Sequence, residues 1–302
     1  MKKRIFSFLI AFCLLVPAVF AITACNENPP PPTIDVWDGT TIAEVSEPVE
    51  NVITIESSAE LAGVARAVNN GETTYEGITI KLANNLDLNN NQWSPIGFGS
   101  SEANGTLNNG HRFMGSFDGQ GYTINNLKAT AFVGGASNSE ATTGIGLFGA
   151  AYNANIKNLN INNATITGNH FVATVVGHAR GTTIENVNVE GATISCNYLD
   201  ADESGDKAGV VVGFIGISPE NGSLVKNCSA KNSSVNAARD AGQIIGCISV
   251  LDITSIETEN RAVQQDNMAY NVVVTDNNET QNTDTNDNIK NDIYGRLVDY
   301  SN

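Results

Sequence analysis

The stretch Ile156-Lys157-Asn158-Leu159 decides the fold, because the same short phrase recurs along the chain. Each copy holds an apolar residue, a variable residue, an Asn and a second apolar or small residue. The other copies are Ile124-Asn125-Asn126-Leu127, Ile184-Glu185-Asn186-Val187, Val225-Lys226-Asn227-Cys228 and Ala269-Tyr270-Asn271-Val272. Apolar positions around a fixed Asn favour a strand, and copies 28 to 44 residues apart indicate one strand in each turn of a coil. We therefore predict an all-β fold, a right-handed parallel β-helix with one short N-terminal capping helix.

Stacking of these copies predicts columns of like residues. We expect one apolar column, comprising Leu127, Leu159, Val187, Cys228 and Val272. We expect one Asn column at a corner of the fold, where side-chain amides can bond from strand to strand, comprising Asn126, Asn158, Asn186, Asn227 and Asn271. A further strand ends in Gly in each repeat, at Phe148-Gly149, Val176-Gly177, Val212-Gly213 and Ile245-Gly246.

The N-terminal residues resemble a bacterial lipoprotein signal. Lys2-Lys3-Arg4 precedes an apolar run that ends in Ile22-Thr23-Ala24-Cys25, similar to a lipobox. This pattern predicts a signal peptide over 1–24, lipidation of Cys25, attachment to the membrane through lipid, and a location in the cell envelope as a surface-exposed outer-membrane lipoprotein. The alternative is an ordinary secretory signal that leaves Cys25 unmodified.

The rest of the chain divides by composition. Residues 25–51 are predicted to be a lipidated, Pro-rich tether, since Pro29 to Pro32 favour an extended chain. Residues 52–274 should hold the β-helix and its cap, a helix over 58–69 that begins with the capping box Ser57 to Glu60. Residues 275–302 form an Asn/Asp-rich tail with a closing strand near Ile293 to Val298.

The chain is strongly acidic, with a formal net charge of -16. That charge disfavours nucleic acid as a partner. Without Cys13 and Cys25 the thiols are Cys196, Cys228 and Cys247, which suggest neither a disulfide framework nor a zinc site. His111, His170 and His178 are not expected to share a metal. We predict no metal and no cofactor.

The insertion at 197–206 is the candidate binding loop, since protruding loops on a rigid scaffold often carry binding residues. Its candidate residues are Tyr198, Asp200, Asp202 and Asp206. Their alternation is similar to the first half of a calcium loop, but Val211 stands at the twelfth position. Calcium binding and a merely solvated acidic loop both stay open.

Aromatic rings that could stack on sugars, or pack under a loop, are Tyr152, His170, Phe171, Tyr198 and Phe214. The lysines and arginines between 124 and 250, which a lyase would need to group, are expected to stay apart. We therefore predict no catalytic residue.

Several blocks resemble the GLUG-motif family of bacterial surface proteins, especially its Bacteroidetes lipoproteins. The matching residues are Val36 to Gly39, Trp93 to Gly97, Phe113 to Ile124 and the motif Gly146-Leu147-Phe148-Gly149. Later copies depart from the motif at Thr174 and Val210. The resemblance implies a β-helical extracellular protein proposed to act in adhesion, with no known catalytic residue to transfer.

Three hypotheses for function follow. The first is a non-catalytic surface binding module, an adhesin for a glycan or a host matrix protein. The second is a glycan-cleaving enzyme, a lyase or a hydrolase. The third is a structural spacer or a subunit of a surface complex.

Overall fold

The recurring phrase forms parallel strands that pair with one another. The computed structural model describes residues 34–98, 100–101, 107–108, 111–130, 144–196, 207–216, 222–237, 240–250, 264–276, 279–283 and 294–299. Within them the fold is mostly β with parallel sheets and one helix, which confirms the all-β, parallel prediction. These residues all belong to the unit 32–302. The predicted signal peptide 1–24 and Cys25 lie outside the described residues.

The helix and strands follow one another along the chain in this order. The N-terminal part holds β1 (Asp35–Val36), β2 (Val52–Ile55), α1 (Ser58–Asn69), β3 (Thr79–Leu82), β4 (Leu86–Asp87), β5 (Ser100–Ser101), β6 (Leu107–Asn108), β7 (Ser116–Asp118), β8 (Thr123–Asn125) and β9 (Lys128–Thr130). The central part holds β10 (Gly144–Ile145), β11 (Phe148–Tyr152), β12 (Asn155–Asn162), β13 (Thr165–Gly168), β14 (Phe171–Ala173), β15 (Val176–Arg180), β16 (Thr183–Glu190) and β17 (Thr193–Cys196). The C-terminal part holds β18 (Lys207–Gly209), β19 (Val212–Ile215), β20 (Leu224–Lys226), β21 (Ser229–Ala237), β22 (Asp240–Gly242), β23 (Ile245–Val250), β24 (Gln264–Gln265), β25 (Met268–Asp276), β26 (Glu279–Thr283) and β27 (Tyr294–Asp299).

The largest sheet contains the recurring phrase. Strand β12 pairs in parallel with β16, and Ile156 lies opposite Ile184. Strand β16 pairs in the same direction with β20, and Ile184 lies opposite Val225. The residues that follow Ile184 and Val225 carry opposite charges. Lys226 Nζ on β20 lies 3.0 Å from Glu185 Oε1 on β16.

Two smaller parallel sheets contain the remaining strands of each repeat. One has the strand order β10-β14-β18-β22 and the other β11-β15-β19-β23-β27. In the second sheet Phe148, Val176, Val212 and Ile245 are in register, as the Gly-closed phrases predict. Among the described strands, only β5 with β6 and β25 with β26 pair antiparallel.

The register separates the five Asn residues into two columns. Asn158, Asn186 and Asn227 share one column, because Lys157, Glu185 and Lys226 before them are paired. Strand β8 instead pairs with Asn160 to Asn162, which places Asn126 beside Asn163. Asn271 follows Tyr270, the partner of Lys231, and so lies beside Asn232. The prediction of a single Asn column is thus wrong.

Backbone conformation explains why both columns select Asn. All five residues of the predicted column have a positive φ, from 50° at Asn271 to 56° at Asn126, and Asn163 and Asn232 share it. Non-glycine residues rarely adopt this left-handed conformation, and Asn tolerates it best. Two bends in each repeat require it, so Asn recurs at two corners instead of one.

The same register divides the predicted apolar column. Leu159, Val187 and Cys228 are in register, whereas Val272 lies opposite Ser233 and Leu127 falls beside Ala164. All five predicted members are nevertheless fully buried, at 0% exposure. Because the residue after each bend points inward at both corners, the two columns belong to one hydrophobic core.

Helix α1 begins and ends as the sequence predicts. The Ser57 side chain accepts a hydrogen bond from Glu60 N, and the Glu60 side chain accepts one from the Ser57 backbone, which together form the capping box. Leu61, Val64 and Val68, at helical spacing, are buried in the main core. Among the described residues, no helix is long and apolar enough to span a membrane.

Candidate functional site

The two smaller sheets approach each other closely at glycines. A methyl group at Gly177 would place its carbon 2.3 Å from the backbone N of Ile145. The same change at Gly213 would place it 2.6 Å from the backbone N of Val172. These distances are shorter than any van der Waals contact, so only Gly fits. Each of these glycines is the second residue of its strand, so the prediction that the strand ends in Gly is wrong. Its role is to let backbone pack on backbone.

Beyond the glycines, aromatic side chains fill the space between the two sheets. We call Tyr152, Phe171, His178 and Phe214 the outer aromatic cluster. The rings of Phe171 and Phe214 stack with centroids 4.5 Å apart. The His178 ring lies 5.2 Å from each of these two rings and 5.8 Å from Tyr152. These separations are typical of favourable aromatic pairs.

Strand direction explains why these rings lie outside the main core. His178 and Phe214 are in register with Ala150 and Cys247. The next residues along each strand are in the core, namely Ala151, Ala179, Ile215 and Ile248. Since side chains alternate across a strand, the His178 column projects from the opposite face.

Three cations lie against the outer aromatic cluster. The guanidinium carbons of Arg112 and Arg180 lie 4.9 Å and 5.8 Å from the centre of the Tyr152 ring. Lys207 Nζ lies 5.7 Å from the Phe171 ring and 5.6 Å from the Phe214 ring. These are cation–π distances. Lys207 Nζ is also 3.9 Å from Asp240 Oδ2 in a pair that is almost completely buried.

His178 is the polar side chain at the centre of the cluster. It is 3% exposed, and neither ring nitrogen has a hydrogen-bond partner. Burial lowers the pKa of His178 to about 3, and the charge of Arg180 acts in the same direction. The imidazole is therefore uncharged at neutral pH, with one N–H donor and one acceptor unused.

Tyr152 forms the edge of the cluster. Burial raises the pKa of its hydroxyl, although Arg180 and Arg112 act in the opposite direction. The ring is 6% exposed and packs with Ala150 and Met114 in a small cluster separate from the main core. Arg112, Arg180 and Phe214 are partly exposed, so they are the members of this site that solvent reaches.

The structure brings together most of the aromatic residues selected from the sequence. Tyr152, Phe171 and Phe214 belong to the cluster, and the His170 ring lies 6.3 Å from Phe171. The candidate loop residues Tyr198, Asp200, Asp202 and Asp206 lie outside the described residues. Calcium binding by that loop stays a prediction.

The sequence missed the charged part of the site. Arg180 and Lys207 both contact this cluster, although they lie against different rings. Arg112 comes from an earlier segment that no spacing linked to them. One sequence signal for the aromatic part of the site was present. His178 lies two residues after Val176, and Phe214 lies two residues after Val212, so the two rings occupy equivalent positions in successive repeats.

Within the described ranges, no group of three or more His, Cys, Asp or Glu side chains is placed to hold a metal ion. No protein-family model, curated protein or solved structure matches this chain.

Proposed function

We propose that this chain is a surface lipoprotein whose right-handed parallel β-helix binds a glycan at the outer aromatic cluster. The observation that carries the proposal is the partly exposed ring of Phe214, which stacks on Phe171 at the edge of a cluster that also carries partly exposed arginines. Aromatic rings stack on the apolar faces of sugars, and arginine side chains bond their polar groups.

The proposed β-helix is supported by the pairing pattern. In each of three sets, parallel strands pair with the equivalent strand of the next repeat, and partners such as Asn158 and Asn186 lie 28 residues apart. Parallel strands require crossover connections, which are right-handed in nearly all proteins. A coil with β14, β15, β16 and β17 in one turn accounts for all three sets of pairings.

The proposed location depends on the sequence alone. Cys25 follows a charged and apolar leader and precedes the Pro-rich segment. The resemblance to the GLUG-motif family likewise depends on the quoted residues. It favours adhesion at the cell surface over the role of a spacer.

The anchor is tested by feeding cells an alkyne-tagged fatty acid and comparing the protein with its Cys25→Ala variant. We expect label on the parent protein and none on the variant. Protease treatment of intact cells then tests exposure. An unlabelled parent protein, or one that intact cells protect fully, would refute the surface lipoprotein.

Glycan binding is tested by placing the full-length protein, solubilised in neutral detergent, on an array of host and plant glycans. The variant Phe214→Ala removes the partly exposed ring of the cluster. The control Tyr270→Ala removes an aromatic side chain that is 50% exposed on β25, a strand without contacts to the cluster among those described. We expect binding by the parent and the control, and at least tenfold weaker binding by Phe214→Ala. Equal binding by all three proteins would show that the glycan binds elsewhere on the protein. The absence of binding to every glycan on the array would overturn the proposal.

The same array tests the second candidate, a glycan-cleaving enzyme. Arg180 and Lys207 meet at one cluster, and grouped cations are what a lyase requires. Mass spectrometry of each spot would then detect new unsaturated products. Binding without products favours the binding module.

A further inference from the structure

We infer that Lys207 and Asp240 form an intramolecular isopeptide bond, an amide between their side chains that links two successive repeats covalently. The inference goes beyond the proposed function and does not depend on glycan binding. It derives from an ion pair whose two side chains are both almost completely buried, at 7% and 8% exposure.

The two residues lie opposite each other on neighbouring parallel strands. Lys207 on β18 is in register with Asp240 on β22, and Lys207 Nζ lies 3.9 Å from Asp240 Oδ2. Bond formation needs reacting atoms about 3–3.5 Å apart. Rotation within the flexible stem of a lysine covers so small a difference. The sheet therefore holds an amine and a carboxyl group side by side.

The pair lies in an apolar environment. Lys207 Nζ is 5.7 Å from the centre of the Phe171 ring and 5.6 Å from that of Phe214. Among the described residues, Lys207 is the only buried lysine or arginine. Burial of two opposite charges is costly, and their attraction often offsets that cost only in part. A lysine in a hydrophobic pocket is also an activated nucleophile. Conversion of the pair to a neutral amide removes both buried charges.

The reaction needs no other reactant. The Lys207 ammonium transfers a proton to the Asp240 carboxylate, which gives a neutral amine and a neutral carboxylic acid. The lone pair of the amine attacks Cγ of Asp240, and the new N–C bond forms. One C–O bond of the acid then breaks, and the hydroxyl group leaves with a proton from the nitrogen as one water molecule. No atom is oxidised or reduced.

A second ion pair provides an internal control. Lys226 and Glu185 are also in register on neighbouring parallel strands, and Lys226 Nζ lies only 3.0 Å from Glu185 Oε1. Their side chains are 30% and 28% exposed, so water stabilises both charges. We expect no amide at this pair, although its charged groups are closer together. The comparison separates the effect of burial from that of proximity.

The test is peptide mass spectrometry of the full-length protein after unfolding in urea and digestion with trypsin. We expect a branched peptide that joins the segment around Lys207 to the segment around Asp240. Its mass should be lower than that of the two separate peptides by one water molecule. Trypsin does not cleave after a lysine whose amine is part of an amide, so cleavage after Lys207 should be lost. Cleavage after Lys226 should persist.

Variants assign the bond to the buried pair. Lys207→Met keeps an unbranched apolar stem without the amine, and Asp240→Ala removes the carboxyl group. Each should abolish the branched peptide, whereas Lys226→Met should leave it unchanged. Urea midpoints show whether each variant folds. If a variant does not fold, fragmentation of the branched peptide from the parent protein still identifies both linked residues.

Three results would overturn the inference. The first is recovery of unmodified Lys207 and Asp240 peptides from the parent protein without a branched product. The second is an amide that joins Lys207 to a different carboxyl group. The third is an equal yield of amide at Lys226 and Glu185, which would show that burial does not select the pair. None of these results depends on whether the array finds a glycan, so the inference and the proposed function fail separately.

Discussion

Asn186 donates a hydrogen bond from its side-chain amide to Oδ1 of Asn158, 3.2 Å away on the neighbouring parallel strand. Both residues have a positive φ, 54° and 53°. Asn158 in turn donates to Asp118 Oδ1 at 3.0 Å. One residue type therefore serves two purposes at this corner, since it tolerates the bend and links each strand to the next.

Substitution of Asn186 separates these two purposes. Asn186→Ala loses the amide and places a β-carbon in the left-handed region, so we expect a loss of about 2–3 kcal/mol in the free energy of unfolding. Asn186→Gly loses the amide alone and should cost about 1 kcal/mol. Urea denaturation measures both. Equal losses would show that the backbone conformation contributes nothing.

Gly177 is the position where a single methyl group should be most damaging. Its new carbon would lie 2.3 Å from Ile145 N and 2.6 Å from Gly144 Cα, and both of these are backbone atoms. We expect Gly177→Ala to cost about 3 kcal/mol or more, because the two sheets must separate.

Gly77 provides the matched control for Gly177. It has a φ of 76°, and a methyl group there would meet no atom within 4 Å. Gly77→Ala therefore reports backbone strain alone, about 1–2 kcal/mol. A Gly177→Ala protein as stable as Gly77→Ala would contradict the close approach of the sheets.

His178 should make the protein sensitive to acid. Its pKa is about 3 when folded, against about 6.5 when unfolded, so the unfolded chain binds more protons between these values. Stability should therefore fall as the pH drops below about 6.5, by up to about 1.4 kcal/mol per pH unit.

The variant His178→Phe tests this dependence, since Phe214 shows that a phenyl ring fits the same column. Urea denaturation at pH 7 and pH 5 should show the parent protein losing about 2 kcal/mol more than the variant. Equal losses in the two proteins would mean that His178 titrates normally in the folded state.

Cys228 should be unreactive in the folded protein. It is 0% exposed, and burial raises the pKa of its thiol to about 11. Iodoacetamide reacts with the thiolate, so labelling at pH 8 should require unfolding.

Peptide mass spectrometry before and after addition of urea measures the labelling of Cys228. The variant Thr193→Cys introduces a thiol at an exposed position on β17 and should react at once. If Cys228 is labelled as fast as this control, the bend that precedes Cys228 opens in the native state.

The sequence predicted features that depend on local backbone geometry, and it failed where two places in the fold demand the same geometry. The capping box of α1 depends on contacts four residues apart or less, and it was predicted to the residue. The strands that contain Gly149, Gly177 and Gly213 align because each begins at the same distance from a tight turn. The Asn column failed because both corners demand the same left-handed conformation, so a sequence pattern cannot distinguish them.

The amino-acid sequence by itself determined the parallel strands, the bends at Asn and the cap, because each depends on local backbone geometry. Only the tertiary structure decided which Asn residues share a column and that Arg112, Arg180 and Lys207 contact the outer aromatic cluster. Those residues are far apart along the chain, and their meeting depends on the register of stacked strands. Burial of the apolar columns sets that register, and a slip of one residue would turn every side chain to the other face.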